Sequence, residues 1–392
     1  MVSGIVPRDL VANGKLRIWG GSGGKSGIST VGDVLVNMTA DGVDLNDIWA
    51  EVQQVLELYN AERKSVADLI SFRTVNVADA IAQSISSDSF EEATEFGVPR
   101  AIRPPSDVLK LGYSFKDWDI SLRATWKFLR GATAEQVQAQ VTRVLEADNK
   151  LTNGTVLRRL LDPATVFNEW GHTCYGLWNA DGMVPPPFLG KTFDGTHTHY
   201  LTTGSTVLDA ADVEVMLNHV KEHGYGFHPA TQYLLILSPV DFDTSLIGSW
   251  KAGVEYRSGQ IPTYDFIPSA LMPAFLSNEY IHGAIPPTDF NGIRVWGSYY
   301  NALVLQTEYI PVGYAVLTAT GGPGADANPV GLREHINPAY QGLRHIAGPV
   351  PTYPLQESFF ARGFGVGTRH RGAAVVTQIT TNGSYTAPVI AT

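Results

Sequence analysis

The chain has one cysteine, Cys174, among its 392 residues. That excludes an intrachain disulfide and any zinc site built from several cysteines. Long apolar runs are also missing. The longest are about six residues, far short of the roughly 20 that a membrane-crossing helix needs, and neither a signal peptide nor a transit peptide is visible. Charge is scarce, at 17% Asp, Glu, Lys and Arg. The balance is acidic, −10 from 28 basic and 38 acidic residues, and no basic block occurs. A protein that grips nucleic acid neutralises phosphates with clustered Lys and Arg, so sequence-specific binding is excluded. Lying near nucleic acid without gripping it is not.

Glycine (39) and proline (23) are abundant and favour turns and β structure. The length suffices for two or three subdomains with a sizeable core. Low charge in such a chain fits large buried interfaces, and fits a large core as well.

Residues 117–128 alternate without a miss. Trp118, Ile120, Leu122, Ala124, Trp126 and Phe128 fall on one side, and Asp117, Asp119, Ser121, Arg123, Thr125 and Lys127 on the other. This pattern predicts a strand with one buried and one wet face. It reads as the return leg of an excursion from about residue 72 to about 130, with an outgoing strand near Val75, Val77 and Ile81. The tip carries Glu91, Glu92 and Glu95, then Arg100, Arg103 and Pro104-Pro105. Connections of this length are functional or disordered. No compact core of its own is legible in the excursion, so it is expected to bury its surface on another molecule. An acidic stretch followed by a basic one would set register on a complementary neighbour; the plainer reading is a solvated loop.

Around this excursion lie recognisable elements. Residues 1–43 are glycine- and serine-rich and read as an extended arm. A helix is predicted from about 45 to 70, capped by Asp44, with Leu45, Ile48, Trp49, Val52, Val55, Leu56 and Tyr59 on one stripe. Thr133-Ala-Glu-Gln136 is a capping box opening a second helix, read as one long helix strained at Gly154 and ended by Asp162-Pro163. Asp209 opens a helix that Gly224 closes. Tyr233–Leu237 reads as a buried strand, with further strands over 292–296 and within 303–317. Ala373–Thr380, a turn at Asn382-Gly383 and a last short strand finish the chain.

Several motifs carry candidate chemistry. Trp19–Ser26 nearly matches a phosphate-binding loop, but Trp19 stands where glycine is required and no helix follows, so a glycine linker is the better reading. His219-Val-Lys-Glu222-His223 matches the inverted zinc-protease pattern H-x-x-E-H, with His197 and His199 as sources of a third ligand. It sits on a last helical turn, where these side chains are expected to be solvated. Gly171-His172-Thr-Cys174-Tyr reads as structural, and no serine-nucleophile signature occurs. No catalytic residue, metal ligand or cofactor is therefore assigned, and the protein is not expected to be an enzyme.

Taken together, the element order and four phrases resemble the major capsid proteins of tailed bacteriophages, the α+β Hong Kong 97 phage capsid fold, and in particular their actinobacterial and mycobacterial phage members. The phrases are Asn179-Ala-Asp-Gly-Met-Val-Pro-Pro-Pro, Gly195-Thr-His-Thr-His-Tyr-Leu, Glu222-His-Gly-Tyr-Gly and the tail Phe359–Val376. The resemblance implies an N-terminal arm (1–44), an N-terminal helix (45–71), an extended loop lying over the adjacent subunit (72–131) and the spine helix of a peripheral domain (132–162). An axial domain with insertions (163–350) and a β segment returning to the peripheral domain (351–392) complete it. It implies self-assembly as pentamers and hexamers into an icosahedral head around double-stranded DNA, bound without sequence specificity. Assembly would take place in the bacterial host cytoplasm, and the protein would end in the virion, with no membrane. Implied partners are a portal protein, a separate scaffolding protein because the arm is short, and decoration or minor capsid proteins. Interface residues would be Glu91, Glu92, Glu95, Arg100, Arg103, Lys110, Lys116, Trp118 and Trp126.

Some members of that family weld subunits through a lysine-asparagine isopeptide bond. Lys110, Lys116 and Asn382 are placed for it, but no glutamate follows residue 357, so non-covalent locking is expected. Three rival functions remain: an encapsulin-like nanocompartment shell of the same fold, a tail tube subunit, and a zinc hydrolase using His219, Glu222 and His223.

Overall fold

The computed structural model describes residues 38–61, 65–83, 90–93, 95–98, 101, 107–272, 281, 283–347 and 355–392. The chain forms two compact units. One comprises residues 1–63, 116–149 and 335–363, the other 64–115, 150–334 and 364–392. The packing boundaries therefore fall within a helix and within a strand, at 149/150 and 363/364. The sequence placed its divisions elsewhere, at 162/163 and 350/351.

The strands, in chain order, are β1 (Ser71–Thr74), β2 (Ala78–Gln83), β3 (Asp107–Gly112), β4 (Lys116–Thr125), β5 (Val166–Phe167), β6 (Thr173–Cys174), β7 (Tyr200–Thr202), β8 (Gln232–Leu237), β9 (Phe266–Pro268), β10 (Asp289–Phe290), β11 (Ile293–Tyr299), β12 (Ala302–Gln306), β13 (Tyr314–Thr320), β14 (Val330–Glu334), β15 (Arg344–Ala347), β16 (Leu355–Thr368) and β17 (Ala374–Gln378).

In the first unit the helix Leu45–Ala61 buries Leu45, Ile48, Trp49, Val52 and Leu56. Asp44 accepts from Asn46 N at 2.8 Å, the cap read from the sequence. Those side chains pack on Val137, Val141 and Val144 of the helix Ala134–Leu161, and on Leu343 and Phe360. The Thr133–Gln136 capping box forms as read: Thr133 N donates to Gln136 Oε1 and Gln136 N to Thr133 Oγ1. Antiparallel β15 and β16 pair Arg344 with Ala361. A buried ion pair joins Arg362 Nη1 to Asp148 Oδ2 at 2.6 Å, and Tyr59 Oη donates to the same oxygen.

The predicted first helix ends earlier than expected. Ser65 and Asp68 form a capping box that starts a separate short helix, Val66–Ile70, which feeds β1. A chain that can satisfy new N-terminal amides locally restarts rather than continues.

The second unit is built on an eight-stranded sheet in the order β10-β11-β12-β8-β13-β17-β7, with β9 beside β11. β8 and β12 run parallel, as do β7 and β17; the other pairs are antiparallel. β8 and β13 are near-continuous apolar runs because both faces are covered. The helix Ala210–Lys221 lays Val213, Met216, Leu217 and Val220 into a core that includes Trp250 and Tyr299. Each fully buried aliphatic side chain there contributes about 1.5–3 kcal/mol. A smaller ladder in the same unit runs β1 parallel to β14, and β14 antiparallel to the end of β16.

Gly154 does not strain the long helix. A Cβ there would lie 2.6 Å from Ala391 O, so the glycine admits the C-terminal tail against the helix. The tail is held by Tyr385 Oη donating to Leu161 O and Arg158 Nη2 donating to Ile390 O, both at 2.6 Å. The last strand predicted after Asn382-Gly383 is absent; residues 384–392 form no strand and dock on the helix instead.

Candidate assembly surface

The excursion is a two-stranded antiparallel hairpin, but its return leg is not the one read from the sequence. β2 pairs with β3, Ala78 opposite Gly112 and Gln83 opposite Asp107. The alternating segment is β4, which pairs with β16 in the first unit, with Arg123 Nε 2.9 Å from Glu357 Oε1. Its alternation is also partial. Ala124 is buried and Trp118 and Leu122 are half-buried, while Ile120 is exposed. The strand stops at Thr125, whose hydroxyl accepts from Phe128 N and starts the short helix Trp126–Gly131. Trp126 and Phe128 therefore lie on a helix: a capping threonine outweighed two residues of β pattern.

The root of the hairpin is fixed tightly. Tyr113 is fully buried, donates to Asp79 Oδ2 at 2.6 Å and meets Phe72 edge-on. Burial and the Asp79 carboxylate push its phenol pKa far up, so it stays a donor. Asn168 Nδ2 donates to Val77 O and Tyr113 O, tying both legs to the β5–β6 turn. Gly112 lets His172 approach; a Cβ there would sit 2.8 Å from His172 O.

The described residues of the tip are open to solvent. Glu91, Glu92 and Glu95 are exposed, and so are Phe90, Phe96 and Val98, each nine-tenths or more accessible. Arg100 and Arg103 lie outside the described residues. Lys110 is exposed on β3; Lys116 is exposed and Trp118 half-buried on β4. The interface residues named from the sequence therefore divide. The glutamates and Lys110 belong to the second unit; Lys116, Trp118 and Trp126 belong to the first. The tip's apolar residues were missed. Their signal was three large apolar side chains set singly among charges, a pattern without strand or helix periodicity.

The zinc-type motif also departs from its reading. His219 turns back, its Nδ1 on Val215 O at 3.0 Å. His223 instead meets His197, Nε2 to Nε2 at 2.9 Å, and His197 Nε2 lies 3.1 Å from His199 Nε2. Glu222 Oε1 is 3.5 Å from His197 Nε2, and Lys191 Nζ binds Glu222 Oε2. These side chains are not solvated: His199 is fully buried, His197 and His223 partly. Burial pushes all three imidazole pKa values down, that of His223 to about 3, with neighbouring histidines adding to the effect. At neutral pH each is uncharged. Cys174 is fully buried and burial raises its thiol to about 11, so it is inert packing, as read.

No family model matches the sequence, and no curated protein does. Among solved structures, one titled Mycobacterium phage Patience is 38% identical, with 93% of this chain and 96% of that chain covered and a TM-score of 0.69. The asymmetric unit of the bacteriophage PhiM1 mature capsid is 11% identical over 81% of this chain and 88% of that one, TM-score 0.48. The holo-SrpI encapsulin complex from Synechococcus elongatus is 13% identical over 86% and 98%, TM-score 0.43. The chain belongs to the major capsid proteins of tailed bacteriophages, with the Hong Kong 97-type fold. It is a capsid shell protein of the virion.

Proposed function

We propose that the chain assembles as pentamers and hexamers into an icosahedral head enclosing double-stranded DNA, built in the host cytoplasm. The observation that carries this is the pairing of near-full-length similarity to a mycobacteriophage structure with an arm whose root is locked and whose residues Phe90, Phe96 and Val98 are exposed. Phe90, Phe96 and Val98 are too apolar and too exposed for a segment that stays in water. A second copy of the chain covers them, and Glu91, Glu92, Glu95, Arg100 and Arg103 set the register. Lys110, Lys116, Trp118 and Trp126 contact neighbours further along. Each contact is modest, and closure of the shell multiplies them. A portal protein, a separate scaffolding protein and decoration proteins complete the head, and the acidic chain lies near DNA without gripping it.

Arg100→Glu combined with Arg103→Glu tests the loop tip. Soluble protein that assembles poorly is expected. Particles of normal yield from the double variant would remove the tip from the interface.

A further inference from the structure

We infer that His197, His199 and His223, with Glu222, form a binding site for one divalent transition-metal ion, zinc by its donor set, that staples the outer loop to the core sheet.

One ring nitrogen from each of these histidines lies within 4.8 Å of the other two. Three elements deliver them: the loop before β7, the entry to β7 itself, and the end of the helix Ala210–Lys221. Hydrogen bonding alone does not explain the convergence. His199 Nδ1 lies 2.6 Å from Ala374 O, so Nδ1 carries the proton and Nε2 presents its lone pair. His197 Nε2 faces that lone pair at 3.1 Å and His223 Nε2 at 2.9 Å. A single hydrogen on His197 Nε2 can be aimed at only one of the two neighbours, so the other contact is left without a hydrogen bond from it. A cation at the point of convergence satisfies every nitrogen at once. Zinc–nitrogen bonds of about 2.0–2.1 Å in a tetrahedron set the nitrogens about 3.3 Å apart, close to the 2.9 and 3.1 Å of the two His197 contacts.

The fourth ligand is on the page as well. Glu222 Oε1 stands 3.5 Å from His197 Nε2, the separation expected of two ligands on one ion. Its other oxygen is held by Lys191. The outer shell is built like that of a metal site, with a backbone carbonyl orienting one imidazole and a cation orienting the carboxylate. Phe193 stacks on His223 with centroids 4.2 Å apart. Gly372 lies beneath the same ring, where a Cβ would come 2.9 Å from His223 Cγ. Three imidazoles and a carboxylate suit zinc or a neighbouring first-row ion, not magnesium or calcium. Four protein ligands leave no open position for water, so the site is structural and supports no hydrolase.

The test uses the full chain, purified without a metal-affinity tag, and reads metal content, the spectrum of added Co²⁺ and the thermal midpoint with and without chelator. About one zinc per chain, tetrahedral Co²⁺ bands and a midpoint that falls on chelation are expected. His197→Gln and His223→Gln lose the ion. Lys191→Met, which touches only the outer shell, weakens binding about 10–100-fold. His219→Ala keeps it. Absence of both bound zinc and a Co²⁺ spectrum in the unaltered chain overturns the proposal. So does loss of metal in His219→Ala with retention in His223→Gln.

Discussion

Arg371 Nη2 donates to Asp181 Oδ2 at 2.6 Å, joining two positions 190 residues apart in the sequence. The guanidinium also lies 4.1 Å from the ring centroid of Trp178 and 4.8 Å from that of Tyr175, and donates to Gly176 O and Leu177 O. With almost none of its side chain in water, Arg371 fastens the segment 175–181 to the turn before β17.

Removing the carboxylate strands a buried charge. Asp181→Ala should lose about 3 kcal/mol, the lower end for breaking such a pair because Asp181 keeps some solvent. Arg371→Lys should also destabilise, since an ammonium cannot reproduce the planar fork or the stacking. Urea denaturation of the soluble chain measures both; unchanged midpoints would contradict the anchor role.

His345 makes the first unit acid-sensitive. It stacks on Trp49 with centroids 4.8 Å apart and packs on Phe360, and burial lowers its pKa to about 4. Between about pH 6.5 and 4 the unfolded chain takes up a proton that the folded chain refuses. The contribution is therefore present above pH 6.5 and is lost as pH falls toward 4. In His345→Phe the slope of stability against pH in this window should flatten by up to about one proton. Equal slopes in both proteins would refute this.

Gly365 sits where the chain passes closest to itself. A Cβ would lie 1.8 Å from Ser114 O, and Ser114 is held to β16 by three hydrogen bonds with Val366. Gly365→Ala must push β16 off the root of the hairpin. Overpacking of this kind costs about 1–3 kcal/mol, and the upper end or beyond is expected here. Soluble yield and thermal midpoint report it, with Gly131→Ala, which meets nothing within 4 Å, as the neutral control.

Assembled particles boiled in SDS should run as monomer. Lys110, Lys116 and Asn382 are all exposed, but no glutamate follows residue 357 to serve as the base for a lysine-asparagine bond. A ladder of covalent oligomers would contradict non-covalent locking.

Much of the fold was legible because local rules decided it. The Thr133–Gln136 box and the buried run Tyr233–Leu237 formed as read, and so did the stripe of Leu45, Ile48, Trp49, Val52 and Leu56, although Val55, read on the same stripe, is exposed. β4 was read as a strand but placed in the wrong pairing, because alternation defines a face and says nothing of the partner strand. The true return leg, Asp107–Gly112, is too short and mixed to stand out. The four phrases behind the family resemblance look unrelated in the sequence. In the structure they meet in pairs: Asp181 with Arg371, and His197 and His199 with Glu222 and His223. Contacts across such separations leave no local periodicity, so the histidine cluster was visible only as fragments of a motif on the wrong residues.

The most direct measurement is electron microscopy with sedimentation of the chain, expressed alone and together with its neighbouring genes. Closed shells or capsomer rings at megadalton mass in at least one condition are predicted. A monodisperse species near 42.5 kDa in both would contradict the account.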